Sequence, residues 1–160
     1  MDFINPIAIV VAAVSAMVVG FVWYNPKVFG TAWMAAAGMT DEQIKGGNML
    51  KIFGLALLFA FMLASTMSSI VVHQMGVYSL AQGDLGMLPS YDAFLDDYGD
   101  AFRTFKHGVF HGVLAGIFIA LPILGTNALF ERKSAKYIFI NVGYWIVTLG
   151  IMGGIICGWK

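Results

Sequence analysis

Four long runs of apolar residues, separated by polar segments, set the pattern of this chain. The runs cover residues 4–24, 49–72, 107–130 and 137–159. Each is about 20 residues or longer, which is enough for a helix to cross the hydrocarbon core of a bilayer. The pattern predicts an all-α membrane protein with four transmembrane helices in one domain that covers residues 1–160.

The polar segments between the runs predict two further helices. After the first run, Phe29 and Trp33 are four residues apart, which places both rings on one face of a short interfacial helix. In the long loop at residues 74–106, aromatic and leucine side chains recur every three or four residues over 91–105. This periodicity predicts an amphipathic helix that is capped by Ser90 and continuous with the third span.

Small residues recur at helical spacing in the last two spans. Glycine occupies every fourth position of a segment in each, at Gly108, Gly112 and Gly116 and at Gly150, Gly154 and Gly158. Such stripes let helix backbones approach closely in lipid. Either the two neighbouring spans pack against each other, or one stripe serves a contact between chains. Within the third span, Pro122 predicts a kink.

Composition supports the membrane assignment. The chain is 59% hydrophobic and 11% charged, whereas soluble domains carry about 25% charged residues. A soluble protein with an unusually large core is the alternative, and the four long runs argue against it. The formal net charge is zero and the basic residues are scattered, so nothing indicates a nucleic-acid partner. The single cysteine, Cys157, excludes an intrachain disulfide and is interpreted as a packing residue.

The basic residues predict how the chain is threaded. The loops at 25–48 and 131–136, together with Lys51 at the start of the second run, hold six of the nine Lys and Arg residues. The positive-inside rule places these two loops in the cytoplasm and both termini and loop 74–106 outside. The first run lacks a basic segment before it and is longer than the apolar core of a typical signal peptide, so it is interpreted as a retained membrane span.

Three histidines are the main candidates for chemistry. His107 and His111 are four residues apart and share one helix face, and His73 follows the second run on the same side of the membrane. Imidazoles in this arrangement can bind a transition metal, with an aspartate such as Asp100 completing the set. The structural alternative is that His111 bonds a neighbouring helix while His73 and His107 lie in the interface.

Asn127 and Asn141 are the main polar side chains within the last two spans. Amide groups commonly bond across transmembrane helices, and the alternative is a polar lining for a solute path. No run holds an Asp or Glu in its middle, and no catalytic triad, phosphate loop or dinucleotide motif is present. The sequence therefore predicts no enzyme activity.

The most distinctive motif follows the first run and reads Gly20-x-x-Trp23-Tyr24-x-Pro26-x-x-Phe29-Gly30-x-x-Trp33. Its residues predict architecture, with Pro26 ending the first helix and Trp23 and Tyr24 at the headgroup level. The motif resembles the signature of small bacterial membrane proteins grouped as domain of unknown function family 1761. Later matches are His111-Gly112 and Asn141-x-Gly143-Tyr144. The resemblance implies a four-span domain in a bacterial inner membrane and no activity.

Three functions remain open on these grounds. The leading hypothesis is a structural or accessory membrane protein that acts as a homo-oligomer or as a subunit of a larger complex, because glycine stripes are prominent and buried polarity is scarce. A small transporter or channel would use Asn127, Asn141 and the histidines to line a path. A metal- or haem-binding subunit would use the histidines as ligands. Bound membrane lipid is expected, and no other cofactor is predicted.

Overall fold

The computed structural model of this protein describes residues 4–81 and 89–160, and that part of the chain is all-helical. Four helical stretches are long and apolar enough to cross a membrane: Pro6–Trp23, Met49–Val71, Phe105–Phe130 and Ala135–Gly158. They correspond to the four apolar runs, so the predicted fold class of an all-α membrane protein is confirmed. Residues 82–88 of the predicted outer loop lie outside the described residues.

Most helix boundaries have a local cause in the sequence. In chain order the described helices are α1 (Pro6–Trp23), α2 (Gly30–Ala37), α3 (Asp41–Lys45), α4 (Met49–Val71), α5 (Gln74–Ala81), α6 (Pro89–Tyr98), α7 (Phe105–Ala115), α8 (Leu121–Phe130) and α9 (Ala135–Gly158). Asn5 caps α1 by accepting the N–H of Ile7. Thr40 and Gln43 form a capping box that starts α3.

Helix α9 lies at the centre of the bundle, because it contacts α1, α4 and α7. Its inward side chains, such as Met152 and Ile156, are fully buried. Helices α1 and α4 also contact each other, and alanines such as Ala12 and Ala64 lie in the shared core. Small side chains at these contacts let the helices approach closely, which favours association in lipid.

The closest helix contact joins α7 to α9 through glycines. A Cβ atom added to Gly112 would collide with the carbonyl oxygen of Leu149, and one added to Gly108 would collide with that of Gly153. The predicted stripe on α7 therefore packs within the chain, which is the first of the two alternatives. Gly153 gives the closest approach on the α9 side, although it falls outside the predicted stripe.

The second predicted stripe lies against α7 as well. A Cβ atom on Gly150 would be 3.3 Å from a methyl of Val113. A Cβ atom added to Gly154 would lie 2.7 Å from the ring of Phe105. One added to Gly158 would lie 2.8 Å from the backbone nitrogen of Phe105. All of these glycines therefore pack against other residues of the same chain.

The third span changes its helical geometry at a π-helical turn, Gly116–Ala120. The N–H of Leu121 donates to the carbonyl oxygen of Gly116, five residues earlier. Pro122 follows directly, and because proline lacks an N–H and crowds the preceding turn, the wider turn accommodates it. At the place where Pro122 predicts a kink, the structure therefore has a π-helical turn.

The two ends of the bundle gather different parts of the chain. At one end, named here the terminal end, the amide nitrogen of Asn5 donates to the carbonyl oxygen of Lys160 at 3.4 Å. At the opposite end, named the motif end, the ammonium of Lys133 donates to the carbonyl oxygen of Ala37 at 3.0 Å. Loops 25–48 and 131–136 therefore share the motif end, and Asn5 and Lys160 share the terminal end.

The amphipathic helix before the third span exists, but it is not continuous with that span. The chain turns through residues 99–104 between α6 and α7, and Thr104 caps α7 by accepting the N–H of His107. Phe102 adopts the left-handed region, with φ of 62°. The prediction of continuity was wrong, because side-chain periodicity persists across a backbone break. Ser90 lies in the first turn of α6, which begins at Pro89.

The α7–α9 contact predicts that Gly112→Ala destabilises the protein by about 1–3 kcal/mol, since overpacking forces backbone shifts. A matched control is Gly54→Ala on α4, where an added Cβ would meet nothing within 4 Å. That control should gain about 0.5–1 kcal/mol from alanine's better helix propensity. Thermal unfolding of both variants in detergent provides the comparison, and equal midpoints would contradict the described contact.

Candidate metal centre

The three histidines of the chain converge at the terminal end of the bundle. His107 and His111 lie one turn apart on α7, so their side chains project from one face. His73 lies between the end of α4 and the start of α5, after Val72 has left helical geometry with φ of −108° and ψ of 97°. The turn between α4 and α5 thus places the third imidazole beside the pair on α7.

The imidazole rings are in mutual contact. The Nε2 atoms of His73 and His107 are 2.8 Å apart, which is a hydrogen bond whose donor depends on the tautomers. The ring centroids of His107 and His111 are 4.4 Å apart, and those of His73 and His111 are 4.9 Å apart. One nitrogen from each ring can be chosen so that all three lie within 4.8 Å of one another.

These separations are close to those of a metal site. An ion bound at about 2.0–2.1 Å by three nitrogens holds those nitrogens roughly 3.3–3.5 Å apart. The bonded Nε2 atoms of His73 and His107 would move apart by about 0.5–0.7 Å, and the widest pair of nitrogens would close by up to about 1.5 Å. The candidate ligand atoms are therefore within about 1.5 Å of the spacing that such an ion requires.

Two phenylalanine rings flank the histidines. Phe102 stacks on His107 with ring centroids 5.0 Å apart and an interplanar angle of 28°. Phe110 meets His111 edge-on at 5.4 Å. Both phenylalanines face outward, with 66% and 58% of their surface exposed, while His107 and His111 are half-buried. His107 and His111 are therefore flanked by apolar rings at the surface of the bundle, whereas His73 is exposed.

Asp100 does not join the histidines as the sequence suggested. Its carboxylate accepts a hydrogen bond of 2.7 Å from the ammonium of Lys160. That hydrogen bond and the adjacent positive charge lower the pKa of Asp100, so the carboxylate stays ionised and paired with Lys160 near neutral pH. Among the described residues, the group that could hold a metal consists of the three histidines alone.

A buried glutamine holds the segment that carries Phe102. This segment, named here the strap, comprises residues 99–104. The side-chain nitrogen of Gln74 donates to the carbonyl oxygens of Tyr98 at 2.8 Å and Ala101 at 3.0 Å. Because Gln74, the first residue of α5, follows His73 directly, a candidate ligand is adjacent in sequence to the residue that holds the strap.

Helix α9 holds the other side of the strap. Arg103 is buried, with only 7% of its surface exposed, and its Nε donates to the carbonyl oxygen of Cys157 at 3.1 Å. The thiol of Cys157 donates to the carbonyl oxygen of Phe102 at 3.3 Å. Sequence reasoning missed these roles: Arg103 counted only as a loop charge, and nothing near Phe102 signals a left-handed residue.

At the motif end, polar side chains bond between helices. The hydroxyl of Tyr24 donates to Oδ1 of Asn141 at 3.1 Å, and Nε1 of Trp23 donates to the carbonyl oxygen of Ile140 at 3.0 Å. Both rings thus turn toward α9, whereas the sequence pattern placed them as anchors at the headgroup level. Asn127 is exposed on α8, so the structure does not bring it together with Asn141.

The spacing of the motif follows from the tight turn between α1 and α2. The N–H of Phe29 donates to the carbonyl oxygen of Trp23 at 3.1 Å. A Cβ atom on Gly30 would collide with the carbonyl oxygen of Tyr24, so only glycine allows this approach. The ring of Trp33 then packs edge-on against Tyr24 at 5.4 Å.

Comparison with known proteins gives a family and no further relative. No curated protein and no solved structure matches this chain. A family model described as protein of unknown function (DUF1761) matches residues 7–157, nearly the whole chain. That range includes the three histidines and the motif around Pro26. The resemblance drawn from the motif is therefore confirmed, and the chain belongs to the DUF1761 family of proteins of unknown function.

Proposed function

We propose that this membrane protein binds a transition-metal ion through His73, His107 and His111. The observation that carries the proposal is the approach of three imidazole nitrogens to within 4.8 Å of one another. Two histidines one turn apart are explained by helix periodicity alone. The third comes from a different segment, 34 residues before His107, and still lies within hydrogen-bond distance of it. Imidazole is a good ligand for zinc, copper, iron and nickel.

A bare ion fits this site better than haem. A haem ligated by one of these histidines needs a cavity for the macrocycle beside it. The cavity at His73, lined also by Phe94 and Phe102, has a volume of about 260 Å³. Pockets for organic ligands span roughly 300–1,000 Å³. The mutual contact of the three rings also leaves the space between them suited to a single atom.

The hypothesis of an accessory protein that associates through its glycine stripes has less support. Those stripes pack between α7 and α9 of the same chain. A homo-oligomer or a larger complex would therefore need another surface, such as the exposed apolar side chains of α4, for example Phe59 and Met62. Association with other chains stays a prediction.

The transporter hypothesis also loses its proposed lining. Asn127 faces outward on α8, and Asn141 is engaged with Tyr24 at the motif end, while the histidines lie at the terminal end. The described core between the two ends is built mainly from small and apolar side chains of α1, α4 and α9. A polar path through one copy of the chain is thus unsupported among the described residues.

The lipid prediction has a specific candidate surface. A groove of about 540 Å³ lies between α1, α4 and α9 near the motif end. Its walls include Phe21, Phe53 and Trp145, and its polar rim includes Tyr24 and Asn25. An apolar groove within membrane spans suits an acyl chain, with the rim near the headgroups.

The orientation of the chain belongs to the same proposal. The loops with the basic majority, 25–48 and 131–136, share the motif end, which supports a cytoplasmic position for that end in a bacterial inner membrane. The metal centre at the terminal end would then face outward, together with both termini.

Metal binding is tested by dialysing purified, metal-free protein against Cu(I) kept reduced, Co(II), Ni(II) or Zn(II), followed by elemental analysis. We expect one ion per chain for at least one of these metals. Replacing His107 or His111 by leucine should weaken binding by more than about tenfold, since outer-shell changes alone cost that much.

The matched control for these variants is Asp100→Asn, which removes the carboxylate suggested by the sequence and leaves the histidines unchanged. Its metal affinity should equal that of the unaltered protein, because Asp100 is paired with Lys160. No bound metal in the unaltered protein, or equal binding by the histidine variants, would contradict the proposed function.

Orientation is tested with a matched pair of cysteine variants, Ala93→Cys on α6 and Ala135→Cys at the start of α9. Both alanines are exposed, and the native Cys157 is fully buried and serves as an internal unlabelled control. In intact bacterial spheroplasts, a membrane-impermeant thiol reagent should label position 93 alone. Labelling of position 135 instead would show the opposite orientation.

A further inference from the structure

We propose that the ion held by His73, His107 and His111 is monovalent copper, Cu(I), in a site with three imidazole ligands. This inference rests on the proposed metal-binding function and names its ligand. It is drawn from three features taken together: the charge of the ligand set, the aromatic rings that flank it and the number of donors.

The ligand set supplies no negative charge. Metal-bound histidine is neutral, and among the described residues no carboxylate or thiolate joins the group. Asp100 is committed to Lys160, and the thiol of Cys157 is directed to the carbonyl oxygen of Phe102. An ion in this site therefore keeps its full formal charge, which is one unit for Cu(I) and two units for Zn(II).

The surroundings penalise the larger charge. Phe102 stacks on His107, and Phe110 lies edge-on against His111, so apolar rings flank the imidazoles. Phe110 lies within the apolar stretch Phe105–Phe130, and Phe102 lies on the strap just before that stretch. The cost of transferring an ion to a low-dielectric setting rises with the square of its charge, so a divalent ion incurs about four times the penalty of a monovalent one.

The number of donors also favours Cu(I). Zn(II) is almost always four-coordinate, and with three protein ligands it takes a water or another group in the fourth position. Phe102 meets His73 edge-on at 6.1 Å and stacks on His107, so its ring occupies space beside two of the three ligands. Cu(I), which carries a smaller charge than Zn(II), is stable with two or three ligands, so three imidazoles complete its site.

The first experiment compares the two ions on the purified protein in detergent, without oxygen. Cu(I) affinity is measured by competition with a coloured Cu(I) chelator in the presence of ascorbate, and Zn(II) affinity by competition with a zinc-binding dye. We expect one Cu(I) per chain, bound at least about 100-fold more tightly than Zn(II), which corresponds to two factors of ten in the dissociation constant. The His111→Leu variant must lose this binding, because the ten methionines of the chain can also attract Cu(I).

The second experiment changes the charge at the site. Phe102 is exposed and has a φ of 62°, a conformation that aspartate and asparagine tolerate well, so both replacements are compatible with the fold. Phe102→Asp adds a negative charge and an oxygen donor, while Phe102→Asn has nearly the same shape without the charge. We expect the aspartate variant to bind Zn(II) about tenfold or more tightly than the asparagine variant.

The outcomes separate this inference from the function on which it rests. Zn(II) affinity equal to or above that of Cu(I), lost in His111→Leu, would overturn the Cu(I) assignment and leave the metal-binding function in place. No binding of either ion, or Cu(I) binding that survives His111→Leu, would overturn both. Equal Zn(II) affinity of the Phe102→Asp and Phe102→Asn variants would overturn the argument from charge.

Discussion

The backbone contact between α7 and α9 is the constraint on which the other features depend. Gly108 and Gly112 allow carbonyl oxygens of α9 to lie where any side chain would stand. This approach sets the position of α7 along α9, and with it the place where the strap must enter. The strap can then bond to the last turn of α9 through Arg103 and Cys157. In a bilayer, such close packing replaces the hydrophobic driving force that water supplies to soluble proteins.

The histidine cluster depends on that contact and on a second, independent one. The α7–α9 contact places His107 and His111, whereas His73 is placed by the end of α4 and by the hydrogen bonds of Gln74 to the strap. Each histidine is thus held by an element with its own stabilising interactions. Side chains held in this way have little conformational freedom left to lose, and preorganisation of that kind favours binding of any group that contacts them.

Features that depend on local sequence could be predicted, and features that depend on tertiary contacts could not. The four spans follow from the apolar runs, and the cap at Asn5 follows from a hydrogen bond between residues close in sequence. Both kinds of feature can be recognised in a single sequence. The pair His107 and His111 follows from helix periodicity, but the approach of His73 depends on the turn after α4. The break at Phe102 left no signal, because the side-chain spacing continues through it.

The glycine stripes also separate what local sequence can predict from what depends on tertiary contacts. A period of four residues identified the correct faces, yet the closest approach on α9 is at Gly153, one residue away from Gly154 in the stripe. Helices that cross at an angle bring together positions from adjacent rows, so a single row of small residues underdetermines the contact. The crossing geometry is a property of the pair of helices, and neither sequence alone contains it.

The central position of α9 has a consequence for biosynthesis. This helix follows the other three spans in the chain, yet each of them packs against it. Because membrane helices insert largely in chain order, α1 and α4 can pair early, while α7 has no partner for its glycine face until α9 arrives. Before that moment the strap has no carbonyl of Cys157 to bond. The strap, which places Phe102 beside His73 and His107, can therefore reach its final position only after α9 has been inserted.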